Sequence, residues 1–224
     1  MPTRFGSAPV DANRRLLETG ASRLGLDLDG AAVDRLMAYF AELMRWSRRI
    51  NLIARDTPEA QVVENHFLDS LTLAPLLGDA NVHLLDVGSG AGFPGLVLAC
   101  VLPAARFTLV EPRQKRVSFL GHVIRSLQLT NVEVVADRIE AHAGLWQGRF
   151  THITSRAVAE PSQFLALIRP LATADTRVLL MLARAEALAG IEHLPSGAWR
   201  IVETRSLVLP FSGAPRLLAV ARPA

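Results

Sequence analysis

The stretch LLDVGSGAGFPG, residues 84–95, places four glycines within the eight residues from Gly88 to Gly95. An apolar run, VHLLDV, leads into it, and a run of helical character, LVLACVL, leaves it. Glycine loses more backbone entropy on folding than any other residue, so such a loop lowers local stability. A strand that runs into a glycine loop and then a helix N-terminus offers unpaired backbone N–H groups to a ligand. The stretch therefore predicts a ligand-binding loop.

Downstream of residue 81, short apolar strands alternate with helices. Strands are predicted at 82–87, 106–111, 132–136, 150–155 and 176–182, and helices at 94–102, 113–127, 139–145 and 160–170. This alternation is typical of βαβ units and a parallel sheet. The last two strand-like runs, WRIVETRSLVLP and PRLLAVARPA, have no helix between them, which predicts a C-terminal antiparallel hairpin.

Upstream of residue 81 the pattern is helical. Apolar residues between Val33 and Met44 recur at the spacing of one helix face, which predicts a packed stripe. Thr57 and Pro58 have the residue types of an N-cap and a first helical position. We therefore predict a loose tail at 1–12, a helical element at 13–80 and an α/β domain at 81–224.

The bulk properties narrow the class of protein. Half of the 224 residues are apolar, yet no apolar run approaches the roughly 20 residues of a membrane helix. The first residues show no apolar core of signal-peptide type, so we expect a cytoplasmic protein. Cys100 is the single cysteine, which excludes a disulfide framework and a multi-cysteine metal site. We expect no metal and no membrane partner.

Two ligand classes use a glycine loop of this kind. The pattern GxGxxG at residues 90–95 matches the dinucleotide fingerprint, which is weak evidence when it stands alone. The pattern D-x-G-x-G from Asp86 to Gly90, with Ser89 inside it, is instead typical of class I methyltransferases that bind S-adenosylmethionine. Asp86 would face the cationic amino end of that donor. The loop therefore favours S-adenosylmethionine over NAD.

Acidic and apolar residues after the next two strands are also placed to bind S-adenosylmethionine. Glu111 ends the strand in FTLVEP and would accept both ribose hydroxyls of either ligand. Ile139 and Glu140 follow the strand VEVVA, where the adenine of S-adenosylmethionine would lie with Ile139 against its face. We expect a Rossmann-like class I S-adenosylmethionine-dependent methyltransferase with a mostly parallel sheet. An NAD-dependent oxidoreductase is the alternative.

The sequence after the fourth predicted strand limits which atom can accept the methyl group. Methylation of an exocyclic amine usually uses a D/N-P-P-Y sequence there, and methylation of pyrimidine C5 needs a nucleophilic cysteine. Here residues 151–161 read THITSRAVAEP, with Ser155 and Arg156 in that position. Guanine N7 already carries a free lone pair, so its methylation needs alignment and desolvation rather than a base. Arg156 would then hold the methionine carboxylate, a phosphate or guanine O6.

The basic residues point to nucleic acid. The formal net charge is +3, and every basic residue except Lys115 is arginine or histidine. Arginine forks onto phosphates and stacks on bases. The predicted RNA-binding residues form two groups, Arg48 and Arg49 in one and Arg113, Lys115 and Arg116 in the other.

Several segments together resemble one family, the 16S rRNA guanine-N7 methyltransferases (the RsmG family, also called glucose-inhibited division protein B). They are WSRRINL at 46–52, NHFLDSL at 65–71, DVGSGAGFPG at 86–95, KRVSFL at 115–120, RIE at 138–140 and SRAVA at 155–159. The resemblance runs from about residue 13 to the end. It implies S-adenosylmethionine as donor and, as acceptor, N7 of a guanosine in the decoding region of 16S rRNA.

The resemblance also assigns residues. It implies donor contacts at Gly88, Phe93, Ile139, Glu140 and Arg156. Asn51 and His66 match polar positions that face the site, and with Arg156 they form the expected catalytic set.

Two departures concern RNA contacts. Arg184 and Arg216 stand where the family pattern is broken. The partner is expected to be 16S rRNA or the small ribosomal subunit, bound by a monomer. A non-catalytic rRNA-binding assembly protein is a second alternative.

Overall fold

The computed structural model describes residues 7–78, 81–156, 160–183, 185–188, 191 and 198–224. Its centre is a seven-stranded sheet in the order β3-β2-β1-β4-β5-β7-β6. The strands are β1 (His83–Val87), β2 (Arg106–Val110), β3 (Val132–Val135), β4 (His152–Ser155), β5 (Arg177–Leu182), β6 (Trp199–Val208) and β7 (Pro215–Pro223). The first five are parallel, and β7 is antiparallel to both β5 and β6. The predicted parallel sheet and hairpin are confirmed.

Helices connect and cover the strands. They are α1 (Ser7–Arg23), α2 (Gly30–Ser47), α3 (Glu59–Val62), α4 (Asp69–Leu71), α5 (Ala74–Leu77), α6 (Gly95–Val101), α7 (Gln114–Ser126) and α8 (Pro161–Ile168). A π-helical segment, Val63–Leu68, joins α3 to α4, and 3₁₀ turns occur at Ile139–His142, Arg169–Leu171 and Ala185–Leu188. The helix predicted at 139–145 is therefore a single 3₁₀ turn. Within the described part of the chain, no helix is long and apolar enough to cross a membrane.

Apolar packing buries both faces of the sheet. All five residues of β1 are buried, and successive side chains point to opposite faces. Leu84 belongs to one apolar cluster, with Leu77 and Leu98, whereas Leu85 belongs to another on the side of α8. A parallel sheet covered on both sides explains why buried and exposed residues do not alternate along β1.

The N-terminal helices form an added layer on one side of the sheet. Leu36 of α2 and Phe67 of the π-helical segment share one apolar cluster with Val97 of α6 and Phe119 of α7. Helix α1 begins at Ser7, so residues 7–12 are helical rather than part of a loose tail. Pro9 is tolerated in the first turn because the N–H groups there have no acceptor within the helix, so the N–H that proline lacks is not needed.

The start of α3 differs from the prediction. The Thr57 hydroxyl donates to the carbonyl of Ala54 at 2.9 Å, so it closes the preceding turn and does not cap the helix. Pro58 itself is the N-cap residue, and no side chain caps α3. The prediction of Thr57 as N-cap was wrong because the hydroxyl had this closer local acceptor.

Candidate active site

The glycine loop, residues 88–95, connects β1 to α6. Gly88, Gly90 and Gly92 have φ values of 70°, 61° and 97°, a backbone region that strongly favours glycine. The N–H groups of Gly88 and Ser89 donate to the carbonyl of Val110 at 2.8 and 3.1 Å. The loop is thereby fixed at the point where the strand order reverses, between β1 and β4, where open α/β sheets bind ligands.

Asp86 lies fully buried beneath this loop. Its Oδ2 accepts a hydrogen bond from the Gly95 N–H at 2.9 Å. A Cβ at Gly95 would stand 2.8 Å from that oxygen, so a side chain there would force the carboxylate to move. Burial raises the pKa of Asp86 to about 7. Its Oδ1 is buried and has no hydrogen-bond partner among the described residues.

Glu111 stands directly after β2, facing the loop. It is 2% exposed, and its two oxygens accept the N–H groups of Gly90 and Arg113, each at 2.9 Å. The Nη1 atom of Arg116 is 3.7 Å from Glu111 Oε2. A Cβ at Gly90 would be 3.6 Å from that same nitrogen. Arg116, predicted at the RNA-binding rim, thus lies against the loop and the Glu111 carboxylate.

The segment after β3 supplies an apolar wall. Ile139 begins a 3₁₀ turn, is 4% exposed and shares an apolar cluster with Val87 and Val110. Glu140, the next residue, is exposed. The ends of β1, β2 and β3 therefore converge on one edge of the sheet, as the sequence predicted.

Arg156, directly after β4, is the centre of a compact polar group. Its Nη1 donates to the carbonyl of Asn65 at 3.0 Å, and its Nη2 donates to Nδ1 of His66 at 2.7 Å. Its guanidinium lies over the ring of Phe93, with Cζ 4.9 Å from the centroid, and the His66 ring stacks on the same ring at 5.0 Å. The structure thus brings His66 and Arg156 of the expected catalytic set together with Phe93, an expected donor contact.

Burial sets the protonation of this group. It lowers the pKa of His66 to about 4, with the charge of Arg156 acting in the same direction. Burial also lowers the pKa of Arg156, whose ordinary value is far above neutrality. At neutral pH the group is therefore a cationic arginine that donates to an uncharged imidazole.

Tyr39 of α2 is a functional candidate that sequence reasoning missed. It is fully buried, its ring stacks on Phe93 with centroids 5.7 Å apart, and its hydroxyl donates to the carbonyl of Ala91 in the glycine loop. A Cβ at Gly92 would lie 2.7 Å from that hydroxyl. Tyr39 is three residues after Leu36 and four before Leu43, so it lies on the same helix face as the predicted apolar stripe. This spacing was the one sequence signal that could have identified it.

Two acidic residues dock the C-terminal hairpin onto the helical element. Oε1 of Glu64 accepts the N–H groups of Phe211 and Ser212 at 2.7 and 2.9 Å. Asp69 pairs with Arg216, whose Nε donates at 2.9 Å. Arg216 therefore has an internal partner in Asp69, and the charge of Asp69 also acts to raise the pKa of Arg156. Arg184 and residues 157–159 lie outside the described residues.

Other predicted residues stay apart from this centre. Asn51 is exposed in the segment between α2 and α3, and no described contact joins it to His66 or Arg156. Arg48, Arg49, Arg113 and Lys115 are at least partly exposed, as surface contacts to RNA require.

Comparison with known proteins identifies relatives along most of the chain. A family model described as rRNA small subunit methyltransferase G matches residues 32–194. The protein named ribosomal RNA small subunit methyltransferase G from Desulfotalea psychrophila is 44% identical over 210 residues, which cover 92% of this chain and 96% of the relative. The protein of the same name from Geotalea uraniireducens is 40% identical over 210 residues, covering 92% and 95%.

The fold has matches among solved structures. A SAM-dependent methyltransferase from Aquifex aeolicus superimposes with a TM-score of 0.56 at 17% identity, covering 83% of this chain and 98% of that one. At this identity the likeness shows the fold alone. The strand order with its antiparallel hairpin and this match confirm the predicted class I methyltransferase fold.

Proposed function

The chain belongs to the rRNA small subunit methyltransferase G family, and from this premise we propose that it methylates N7 of a guanosine in the decoding region of 16S rRNA. As a member of this family it is an S-adenosylmethionine-dependent rRNA methyltransferase. The base, the atom and the decoding region are the proposed part, together with a monomeric, metal-free enzyme in the cytoplasm. The observation that carries the proposal is the joined group of Phe93, His66 and Arg156 beside the glycine loop.

The residues at the loop fit S-adenosylmethionine. Gly90 has a φ of 61°, and in the described part of the chain a Cβ there would meet only Arg116 Nη1 and one backbone carbonyl within 4 Å, which leaves open space beside Glu111. Asp86 Oδ1 is an acceptor with no partner among the described residues, suited to a cationic amine, directly or through water. The Glu111 carboxylate uses two of its acceptor positions on backbone N–H groups and keeps others for ribose hydroxyls. Ile139 supplies an apolar surface for adenine.

The chain's own residues then have a limited chemical task. S-adenosylmethionine supplies a methyl group bonded to a positively charged sulfur. Guanine N7 has a free lone pair, so no residue needs to remove a proton, and the Arg156 group has no base poised to do so. Arg156 donates one N–H to the Asn65 carbonyl and one to His66. Its remaining N–H groups are the proposed donors to a carboxylate or to guanine O6. We expect the rate enhancement to come from alignment of guanine N7 with the methyl group in a desolvated site.

The decisive experiment compares rRNA from a strain with and without this gene. N7-methylguanosine allows specific strand cleavage, which primer extension locates. We expect one cleavage site in the decoding region that disappears on deletion and returns with the gene. If the pattern is unchanged and the purified protein binds rRNA but transfers no tritiated methyl, the protein is a non-catalytic assembly protein. Transfer of tritiated methyl to another position would contradict the N7 assignment alone.

A further inference from the structure

A second cavity lies away from the glycine loop, at the C-terminal end of α2. Its volume is about 330 Å³, and it is lined by Arg45, Trp46, Arg49 and Ile50. We call it the Trp46 pocket. Ligand pockets in proteins fall in the range of roughly 300–1,000 Å³. The pocket is therefore large enough for the ring system of one nucleotide base.

Trp46 is held from behind by α7. Its ring centroid is 5.7 Å from that of Phe119 and 5.3 Å from that of His122. Trp46 is half-buried, whereas Trp146 and Trp199 are buried at 7% and 9% exposure. The indole is thus positioned by packing and still reaches the pocket, as a stacking surface requires.

Two arginines at the pocket and one carboxylate, Glu42, which forms a salt bridge with Arg45, leave a net positive charge there. Arg45 is exposed and its Nη2 lies 2.6 Å from Glu42 Oε2 and 3.1 Å from His122 Nε2. Arg49 is also exposed. An aromatic surface flanked by guanidinium groups matches a nucleotide, which offers a flat ring and a phosphate. An apolar peptide would match the indole and Ile50 but would not use the two arginines.

Helix α7 connects this pocket to the candidate active site. Arg116, in the first turn of α7, contacts Glu111, and His122 lies six residues later beside Trp46. At 1.5 Å per residue the two positions are about 9 Å apart along the helix axis. A short single-stranded segment spans that distance, so one RNA can occupy both places.

We propose that the Trp46 pocket binds an unpaired nucleotide of the rRNA close to the target guanosine, by stacking on Trp46 and by phosphate contacts from Arg45 and Arg49. The proposal rests on the proposed function for its choice of RNA. It also separates residues that the sequence placed in one basic cluster. Arg48 lines a different cavity, with Met44 and Ile53, and has no part in the pocket.

The test measures binding of protein-free 16S rRNA by filter retention over a series of salt concentrations. Trp46→Leu should weaken binding roughly 5- to 150-fold, the range for removal of one base–aromatic stack. Trp46→Phe keeps a stacking ring and should recover most of the affinity. Arg45→Gln and Arg49→Gln should each reduce the salt slope by about 0.7. Arg200→Gln, an exposed arginine on the far edge strand β6, is the matched control and should change the slope least.

A second readout follows Trp46 directly. In a variant with Trp146→Phe and Trp199→Phe, the remaining tryptophan fluorescence belongs to Trp46, and rRNA should quench it. Unchanged rRNA affinity in folded Trp46→Leu, or unquenched Trp46 fluorescence at saturating rRNA, would overturn the proposal. If Trp46→Leu does not fold, the proposal is tested by the quenching of Trp46 fluorescence and by the salt slopes of Arg45→Gln and Arg49→Gln.

The two proposals fail in different ways. Wild-type protein that transfers tritiated methyl while the pocket variants bind normally would refute the pocket and leave the methyltransferase assignment intact. Absence of methyl transfer by the wild-type protein, together with Trp46 quenching in the variant with Trp146→Phe and Trp199→Phe, would refute the activity and leave the pocket intact. Capture of a ribosomal protein by the pocket, without rRNA, would also count against an RNA nucleotide.

Discussion

The guanidinium of Arg156 donates to Nδ1 of His66 across 2.7 Å, which joins the end of β4 to the π-helical segment of the N-terminal element. The two residues are 90 positions apart in the chain. Because Nδ1 accepts, the imidazole carries its proton on Nε2 and is uncharged, in agreement with its pKa of about 4. The helical element is therefore part of the candidate site, since it fixes the arginine that follows β4.

The first prediction concerns this pair. Arg156→Ala should lower turnover at saturating rRNA by roughly 100-fold, because the reacting groups are no longer held in alignment. His66→Ala should lower turnover less, since Arg156 keeps its bond to the Asn65 carbonyl. Single-turnover methyl transfer measures both effects.

A double variant supplies the control for that prediction. If His66 acts through Arg156, the double variant should be no slower than Arg156→Ala alone. Strictly additive effects would mean that His66 has an independent role. Full turnover in Arg156→Ala would remove the basis for the site.

The second prediction concerns the glycine loop. Gly88→Val should abolish binding of S-adenosylhomocysteine, because a branched Cβ at a φ of 70° strains the loop and occupies the cradle. Gly25→Val is the matched control, since Gly25 has a φ of 73° and no atom within 4 Å of a Cβ there. Both variants place valine at a positive φ and share that backbone strain. If calorimetry detects S-adenosylhomocysteine binding in Gly25→Val but not in Gly88→Val, the loss is due to the position of Gly88 in the ligand-binding loop and not to strain alone. Equal affinity in both would contradict the loop assignment.

The third prediction concerns the charge of Asp86. Its pKa is about 7 in the folded protein and near 3.8 when unfolded. Between these values the folded state binds more protons, so this carboxyl makes the free energy of unfolding fall as pH rises, with the decrease complete above about 7. Asp86→Asn should therefore flatten the pH dependence of that free energy, as measured by denaturant unfolding.

The same substitution should weaken the donor site. Asparagine keeps an oxygen for the Gly95 N–H but removes the charge, so affinity for S-adenosylhomocysteine should fall by roughly 1.5–3 kcal/mol. Asp175→Asn, an exposed carboxyl, serves as the control and should change neither quantity. An unaltered pH profile in Asp86→Asn would show that the buried carboxyl does not titrate in this range.

The fourth prediction concerns Glu111. Glu111→Ala removes the acceptor of two backbone N–H groups and the expected ribose acceptor, so donor affinity should fall by roughly 1.5–3 kcal/mol for each charged hydrogen bond removed. Glu111→Gln keeps one acceptor oxygen and should weaken binding less. Affinity for rRNA should stay near the wild-type value, which filter retention can check. A parallel decrease in donor and rRNA binding would indicate damage to the fold.

Sequence reasoning located the sheet because its signals are local. Each predicted parallel strand is an apolar run followed by a turn or an acid, and Asp86 and Glu111 lie at the strand ends where parallel topology brings ligand residues together. Asp86, Glu111 and Ile139 could therefore be named from residue type and position along the strands, whereas Phe93 was assigned by the family resemblance alone.

The parts that were missed depend on contacts between distant segments. Asp69 and Arg216 pair across 147 positions, and Glu64 reaches the hairpin across a similar interval. The π-helical segment adds a residue to the turn, so helical periodicity cannot show which side chains face the site. Arg116 belongs to a basic cluster by sequence, but its contact with Glu111 is visible in three dimensions alone.

The last prediction separates the RNA surface from the donor pocket. Arg113 and Lys115 are exposed at the start of α7, so replacing both with glutamine should reduce the salt slope of rRNA binding by roughly 0.7–0.9 for each phosphate that is no longer neutralised. Methyl transfer at saturating rRNA should persist in that double variant. Arg116→Gln should behave differently, because its guanidinium lies 3.7 Å from Glu111 and next to Gly90, and its removal should alter affinity for S-adenosylhomocysteine. If the double variant leaves the salt slope unchanged, these two charges are a solvated helix face. If Arg116→Gln changes the salt slope without changing donor affinity, Arg116 belongs to the RNA-binding rim that its sequence position indicated.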